Sequence, residues 1–506
     1  MEFNGVLMNY FLRVICQKVL VCLLCCFSYA ALADEVSSKL NNVSLLHEFF
    51  TEKLGDKLQE NHVAGASVVV VKEGKVIFEQ GYGYSNVETK TVVSPSDTLF
   101  RVASVSKLFT WTAIMQLVEQ NIINLEDNVN DYLTEFQIPD TYNKPIKIKH
   151  LITHTAGFND QMMGLIFLKE QAEHLPLEQA MKKFLPARIR PSGEYAAYSN
   201  YGTALAGLVV QNVSKKPFAQ YINEHIFKPL EMRNSSFEEP LPPLLALKAS
   251  PGYTYGEEQH VPGYFELSNV VPAGSLTTSV SDIANFMIGH LQQGRFENTQ
   301  IFNSEIAHLM QHNAFTHHSS MKGLTYGFHE KSMNGIDTIY HDGDSSFFHS
   351  FLSLELNSKS GIFVVVNSNE GDDLVDQVIE EYYKTFFETP SANDLVENTS
   401  ITIDASKYIG VYRLNRFSIS SIEKVLGFLF QIEISATDNG KLEMSSLGSS
   451  KILLPVEKDL FISEVDHEKF AFSQFDNGTY QHFFIESNPA STFDRIAWYE
   501  TRIVHF

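Results

Sequence analysis

Apolar residues recur every three or four positions in several stretches of this chain, a spacing typical of amphipathic helices. The first stretch lies between Ser44 and Leu58, and another follows Ser104, where Leu108, Trp111 and Met115 are spaced by three and four. Together the predicted helices cover residues 44–58, 104–118, 146–152, 177–184, 201–213, 281–291 and 374–387. The chain between residues 120 and 350 is therefore predicted to consist mostly of helices and loops.

Continuous apolar runs on both sides of this helical region predict buried strands. Ala66–Lys72 and Lys75–Phe78 flank the turn residues Glu73 and Gly74, which predicts a β-hairpin. The runs Phe351–Leu356 and Gly361–Val366 predict a second pair of strands joined by a polar turn. Because strands at both ends enclose the helices, we predict an antiparallel sheet closed by the first and last segments of the domain.

Beyond about Thr399 the pattern changes to short alternating strands, at residues 428–434, 441–445, 451–456, 469–472 and 480–485. The turns Asp438–Gly440 and Asp476–Gly478 are good hairpin signals. They predict an all-β domain, a small barrel being the natural form. The predicted fold class is therefore α/β (α+β), with a helix-flanked antiparallel sheet and a helical subdomain over residues 34–390. A linker at 391–398 and a C-terminal β domain at 399–506 follow.

The first 33 residues have a basic start, a short apolar run from Val19 to Phe27, and small residues ending at Ala33. This arrangement is typical of a cleavable secretion signal. An uncleaved membrane anchor is the alternative, although the run is short for a membrane span. Cys25 and Cys26 raise a lipoprotein alternative, but no small residue stands directly before either. We expect a periplasmic or secreted protein, with a membrane-anchored form as the alternative.

Composition excludes several classes of function. All four cysteines lie in the first 33 residues, so the rest of the chain has no disulfide, thiol nucleophile or cysteine metal ligand. The formal net charge of −22 makes nucleic acid and anionic membrane surfaces poor partners. We expect no cofactor and no metal, and a small-molecule or peptide substrate as the partner. The oligomeric state stays open.

Ser104 and Lys107 have the spacing Ser-x-x-Lys at the start of a predicted helix. The hydroxyl and the amine would lie one turn apart on the same face. A serine hydroxyl becomes a good nucleophile only when a neighbouring group takes its proton, and a lysine can do that. The spacing alone is weak evidence, because Ser319/Lys322 and Ser421/Lys424 share it.

Two further polar motifs follow in the chain. Tyr198 and Asn200 form Tyr-x-Asn before an apolar helix, and His341 precedes Gly343 and Asp344 shortly before a predicted strand. Taken alone, each motif is more often a turn or a polar loop than a functional site. In this order, Ser-x-x-Lys, Tyr-x-Asn and His-x-Gly resemble the motifs of the serine β-lactamase and penicillin-binding-protein superfamily. The strongest likeness is to class C β-lactamase-like esterases and D-peptidases, and it covers about residues 48–390.

This resemblance implies that Ser104 attacks a carbonyl and is acylated, and that Lys107 and Tyr198 share the proton transfers. Which of the two is the general base stays open. One cation about 4 Å from the phenol contributes roughly 4 kcal/mol at an effective dielectric of about 20. That is about three pKa units, which would bring the phenol of Tyr198 from about 10 to near neutrality.

The resemblance also implies substrate-binding roles. Asn200 would hold Lys107 and a substrate amide, while the backbone N–H groups of Ser104 and Asp344 would form the oxyanion hole. Gly343 would let the substrate approach the strand closely. True class C β-lactamases carry lysine at the position of His341, on an edge strand. A histidine is mostly neutral at pH 7, so anionic β-lactams should be held less firmly.

We therefore predict an exported serine hydrolase that acts through an acyl-enzyme on esters, amides or D-amino acid peptides. One alternative is a DD-carboxypeptidase or a β-lactamase. The other is a catalytically inactive binding protein on the same scaffold.

Overall fold

A seven-stranded antiparallel sheet forms the centre of the computed structural model, which describes residues 39–502 except 167, 170–173, 388–397, 399–400, 420 and 447. The predicted signal segment, residues 1–33, lies outside the described residues. So does the predicted linker, apart from Asn398. In the described part of the chain, no helix is both long enough and apolar enough to cross a bilayer.

The sheet combines the first and last strands of the main domain, as predicted. Its strands are β1 (Gly65–Lys72), β2 (Lys75–Asn86), β3 (Thr91–Val92), β11 (His329–Met333), β12 (Ile336–Asp344), β13 (His349–Glu355) and β14 (Ser360–Val366). Their order is β11-β12-β13-β14-β1-β2-β3, and β1 pairs antiparallel with β14, Ala66 opposite Val366. Strands β11 and β12 lie in a region predicted to be helices and loops. They place β12 second from the edge of the sheet.

Helices cover both faces of the sheet. They are α1 (Val43–Phe50), α2 (Ser106–Glu119), α3 (Ile148–Ile152), α4 (Leu177–Lys183), α5 (Asn200–Ser214), α6 (Phe218–Ile222), α7 (Pro243–Ala246), α8 (Val271–Gly274), α9 (Val280–Leu291), α10 (Ser304–Gln311) and α11 (Asp372–Phe386). Successive side chains of a strand point to opposite faces. Val68 and Val70 of β1 accordingly pack in a core with α1 and α11, whereas Val69 and Val71 pack in a larger core with α2. This explains why β1 is apolar throughout.

Short strands complete the helical side of the domain. They are β4 (Phe100–Arg101), β5 (Ser235–Ser236), β6 (Tyr253–Gly256), β7 (Gln259–Pro262), β8 (Thr277–Thr278), β9 (Arg295–Phe296) and β10 (Thr299–Gln300). Strands β4, β8 and β5 form a three-stranded sheet, and β4 is the strand that precedes the Ser104 turn in the chain. Arg101 of β4 forms a buried ion pair with Glu239 at 2.9 Å. This pair fixes the approach of the chain to Ser104.

The C-terminal residues form a closed eight-stranded barrel. Its strands are β15 (Gly410–Leu414), β16 (Gln431–Ala436), β17 (Leu442–Ser446), β18 (Ser449–Pro455), β19 (Leu460–Ser463), β20 (Lys469–Asp476), β21 (Thr479–Ile485) and β22 (Phe493–Arg495). The hairpin turns at Gly440 and Gly478 have positive φ, as the Asp-Asn-Gly signals predict. The predicted strand at 428–434 begins later, at Gln431, because a 3₁₀ helix occupies Ile422–Phe428. The predicted fold class is thus confirmed.

Candidate active site

Ser104 lies in a 3₁₀ turn, Ala103–Val105, immediately before α2. The backbone of Ala103 has φ +43°, a left-handed conformation that costs an alanine free energy and is common at functional sites. Neighbouring segments hold this turn: Ser350 Oγ of β13 donates to the Val102 carbonyl at 3.0 Å, and Leu276 N–H donates to Ser106 Oγ at 3.0 Å. The nucleophile candidate therefore lies at a strained turn that is fixed to the sheet.

Lys107 is the second residue of α2, one turn after Ser104. Its Nζ donates to Ser104 Oγ at 2.9 Å and to the Ala273 carbonyl at 2.7 Å. The side chain is fully buried, and burial, followed by the charge of Arg416, holds the pKa of Lys107 well below its usual value. A neutral amine keeps a lone pair that can accept the Ser104 proton. The helix itself is buried on nearly all sides, more completely than its amphipathic pattern predicts.

The ring of Tyr198 packs against the Lys107 amine. Lys107 Nζ is 4.7 Å from the centroid of the Tyr198 ring, and the His154 ring packs 4.5 Å away. The structure thus brings Tyr198 to Ser104 and Lys107, which lie far from it in the sequence. Burial raises the pKa of Tyr198 and outweighs the Arg416 charge and a hydrogen bond with Ser104. The lysine charge alone would bring the pKa of Tyr198 to near neutrality, but the buried phenol stays protonated. Lys107 is therefore the better candidate for the general base.

His341, which the resemblance places against the substrate, does not line the cleft beside Ser104, although its ring centroid is 6.2 Å from that of Tyr198. Its ring is only 1% exposed, and its Nδ1 donates to the Asp342 carbonyl at 2.7 Å. Strand β11 pairs with the outer edge of β12, so β12 is not an edge strand, and the His329 ring lies 4.8 Å from that of His341. Burial and the neighbouring His329 lower the pKa of His341 to about 3, so the ring is neutral.

Gly343 allows β12 to approach the Ser104 turn. A Cβ at this position would lie 2.3 Å from Val102 O, 2.7 Å from Ser350 Oγ and 3.0 Å from Ser104 N. The glycine is therefore needed for contact between protein segments, whereas the resemblance assigns it to the approach of substrate. The same contact places the Ser104 N–H group next to the strand that carries Asp344.

The cleft beside Ser104 encloses about 450 Å³ of open space. Asn200, at the start of α5, and Asp344, at the end of β12, both line it. Its walls also include residues that no sequence motif marks, among them Arg101 and Glu266. Within the described part of the chain, Arg101 Nη1 and Glu266 Oε2 are buried without a hydrogen-bond partner. Buried polar atoms of this kind require an explanation, and a polar substrate supplies one.

Asp344, His349 and Asp372 are the one group among the described residues whose ligand atoms are close enough to hold a metal ion, all within 4.8 Å of one another. His349 Nδ1 is 2.9 Å from Asp344 Oδ1, and its Nε2 is 3.0 Å from the Asn369 carbonyl. Burial lowers the pKa of His349, but its contacts with Asp344 and Asp372 outweigh burial and raise it. A protonated imidazole satisfies both carboxylates, so these contacts form an ion-pair cluster.

We expect the pH profile of this site to follow Lys107. Because burial lowers the pKa of the amine, the catalytically competent neutral form accumulates as the pH rises through a value well below 10.5. His329 and His341, with pKa values lowered to about 4 and about 3 by burial, stay neutral above that range. The measurement is kcat/KM for an ester against pH. It should rise once and then remain level into alkaline solution; a fall above neutrality would contradict this assignment.

A serine and a lysine one turn apart at the head of a buried helix, a tyrosine against the amine and a sheet strand beside them define the penicillin-recognising class. This is the fold of serine hydrolases that act through an acyl-enzyme. The chain belongs to the Beta-lactamase family, whose family model matches residues 50–381.

Sequence relatives support the same family. Protein flp of Staphylococcus aureus strain MW2 is 34% identical over 184 residues, 36% of each chain. Protein flp of strain N315 is 26% identical over 327 residues, 62% of this chain and 61% of its own. Beta-lactamase-like protein 2 of Dictyostelium discoideum is 27% identical over 319 residues, 60% of this chain and 53% of its own. The chain thus spans less than two thirds of the length of these relatives.

Solved structures match almost the whole chain. An octameric penicillin-binding protein homologue from Pyrococcus abyssi has a TM-score of 0.57 at 21% identity, covering 89% of this chain and 99% of that one. SurE has a TM-score of 0.63 at 19% identity, covering 91% of this chain and 99% of its own. At these identities the likeness establishes the fold, including its second domain.

Proposed function

We propose that this protein is an exported serine hydrolase that forms an acyl-enzyme on Ser104 and cleaves ester or amide bonds, D-amino acid peptides among them. The observation that carries the proposal is the distance of 2.9 Å from Lys107 Nζ to Ser104 Oγ, with Tyr198 packed against the same amine. Family membership supports the type of chemistry, and the predicted secretion signal supports export.

In this mechanism, neutral Lys107 accepts the proton of Ser104 as Oγ attacks the substrate carbonyl. The carbonyl oxygen becomes negative and is stabilised by N–H donors beside β12, including that of Ser104. Tyr198, protonated because it is buried, donates a proton to the leaving group as the carbonyl–leaving group bond breaks. The phenolate then recovers a proton from Lys107, and water hydrolyses the ester on Ser104 with the same amine as base.

The charges of the cleft favour neutral or cationic substrates. Glu266 and Asp344 both line it, whereas the cation Arg101 is already paired with buried Glu239. His341 is neutral and buried, so it offers no positive charge to the carboxylate of a β-lactam. Esters and amides without a carboxylate at that end should therefore be better substrates than penicillins or cephalosporins.

A substrate panel tests the proposal. A short-chain nitrophenyl ester, a D-amino acid amide, a peptide ending in D-Ala-D-Ala and a chromogenic cephalosporin are compared by kcat/KM with wild type and Ser104→Ala. We expect the ester and the amide to be cleaved fastest and all turnover to disappear in Ser104→Ala. Fastest cleavage of the D-Ala-D-Ala peptide would favour a carboxypeptidase, and of the cephalosporin a β-lactamase. A folded protein that cleaves none of them favours a binding protein.

A further inference from the structure

The barrel reaches into the active site through the segment after β15. Asn415 Nδ2 donates to the Ala196 carbonyl at 2.9 Å, two residues before Tyr198. The Tyr198 N–H group in turn donates to the carbonyl of Ala490, before β22, at 2.9 Å. Two separate parts of the barrel therefore hold the backbone that carries the catalytic tyrosine.

The residue after Asn415 is Arg416, whose guanidinium lies on the ring of Tyr198. Its Cζ is 4.5 Å from the ring centroid, and Lys107 Nζ is 4.7 Å from the same centroid. A cation over an aromatic ring is attracted by the negative face of the ring. Arg416 Nε also pairs with Asp160 Oδ2 at 3.4 Å, a contact across the two domains. The guanidinium is thus held by both the Tyr198 ring and Asp160, and its charge acts on Tyr198 and Lys107.

We propose that Arg416 of the barrel is a positioning residue of the Ser104 site, which holds Tyr198 against Lys107 and supplies a fixed positive charge beside them. The proposal rests on the proposed hydrolase function. It makes the barrel a part of the active site. It also provides a cation beside Tyr198 in a site where His341 is neutral.

The charge has a definite direction of effect. After burial, the positive charge of Arg416 is the next cause that lowers the pKa of Lys107, and it also opposes the raised pKa of Tyr198. The other titratable groups around these residues are Asp160, Asp342, Asp344, His154, His329, His341 and Glu423. The carboxylates Asp342 and Asp160 raise the pKa of Lys107, whereas Arg416 lowers it. The buried histidines are neutral and add no charge.

The test uses full-length wild type, Arg416→Gln, Arg416→Lys and Arg413→Gln, with kcat/KM for a nitrophenyl ester measured between about pH 4 and about pH 10. Arg413 is the matched control, because its guanidinium stacks on Phe417 of the same segment at 4.4 Å and pairs with Glu500. The acid limb is the part of the profile in which kcat/KM rises with pH. Arg416→Gln should move this limb up by about one pH unit, which lowers kcat/KM about tenfold at pH values below it. Arg416→Lys keeps the positive charge, so its acid limb should lie close to that of wild type. Arg413→Gln should leave the limb in place.

Two results would overturn the proposal. One is an Arg416→Gln limb that coincides with that of wild type. The other is an equal loss at every pH with no displacement of the limb, because a purely structural residue changes the rate without changing the titration. In both cases wild-type turnover that depends on Ser104 would leave the hydrolase function standing. A wild type without Ser104-dependent turnover would overturn both proposals.

Discussion

Lys107→Met should lower kcat/KM by about 10²–10⁴-fold, the range expected when a general base is removed. The amine donates a hydrogen bond to Ser104 Oγ at 2.9 Å. Methionine has a similar shape but cannot accept the proton of the hydroxyl. Steady-state kinetics with a nitrophenyl ester measure the effect. The free energy of unfolding should change little, because methionine suits a buried position and the main loss is a partner for the Ala273 carbonyl.

The sequence provides a matched control for this substitution. Lys322 also follows a serine by three residues, but it lies in a loop and pairs with Asp337 at 2.6 Å. Lys322→Met should therefore retain wild-type kcat/KM. If Lys107→Met kept wild-type rates, or if both substitutions reduced them equally, Lys107 would not be the base.

Gly343→Ala should reduce kcat/KM by about 10²-fold, the loss that a misplacement of about 1 Å can cause. The new Cβ would come within 2.3 Å of Val102 O and 3.0 Å of Ser104 N, both backbone atoms that cannot rotate away. Either the Ser104 turn or β12 has to shift. Overpacking of this kind also costs about 1–3 kcal/mol of stability. Kinetics and thermal unfolding of the variant measure the two effects separately.

Gly256, at the end of β6, is the matched control for Gly343. A Cβ at Gly256 meets no atom within 4 Å, so Gly256→Ala should retain both activity and stability. Wild-type kinetics in Gly343→Ala would mean that the strand does not position the Ser104 turn.

The candidate nucleophile could be predicted from the sequence because three motifs occur in the right order. Spacing alone could not select it: Ser319/Lys322 and Ser421/Lys424 have the same Ser-x-x-Lys pattern. The structure distinguishes them, since of the three pairs only Ser104 and Lys107 lie at the head of a helix that is buried on nearly all sides. Burial is also what the charge argument for Tyr198 left out. The desolvation of a phenol depends on residues distant in the chain, such as His154 and Ala490, and no local pattern contains it.

The β1–β2 and β13–β14 hairpins were predictable because each is formed by neighbouring segments with clear apolar runs. Strands β11 and β12 could not be predicted in the same way, because their pattern mixes charged and apolar residues. The resemblance places His341 on an edge strand, but β11 pairs with β12, so His341 lies on an inner strand and is buried. Arg416 has no motif at all, and only the packing of the barrel against residues 196–198 brings it to Tyr198.

The most direct test of the account is covalent labelling of the full chain with a fluorophosphonate, followed by intact mass and peptide mapping. A serine activated by Lys107 and Tyr198 should take up a single phosphonyl group, mapped to the peptide that contains Ser104. Ser104→Ala, shown to be folded by a melting temperature equal to that of wild type, should take up none. Equal labelling of both proteins, or none in folded wild type, would contradict the claim that Ser104 is an activated nucleophile.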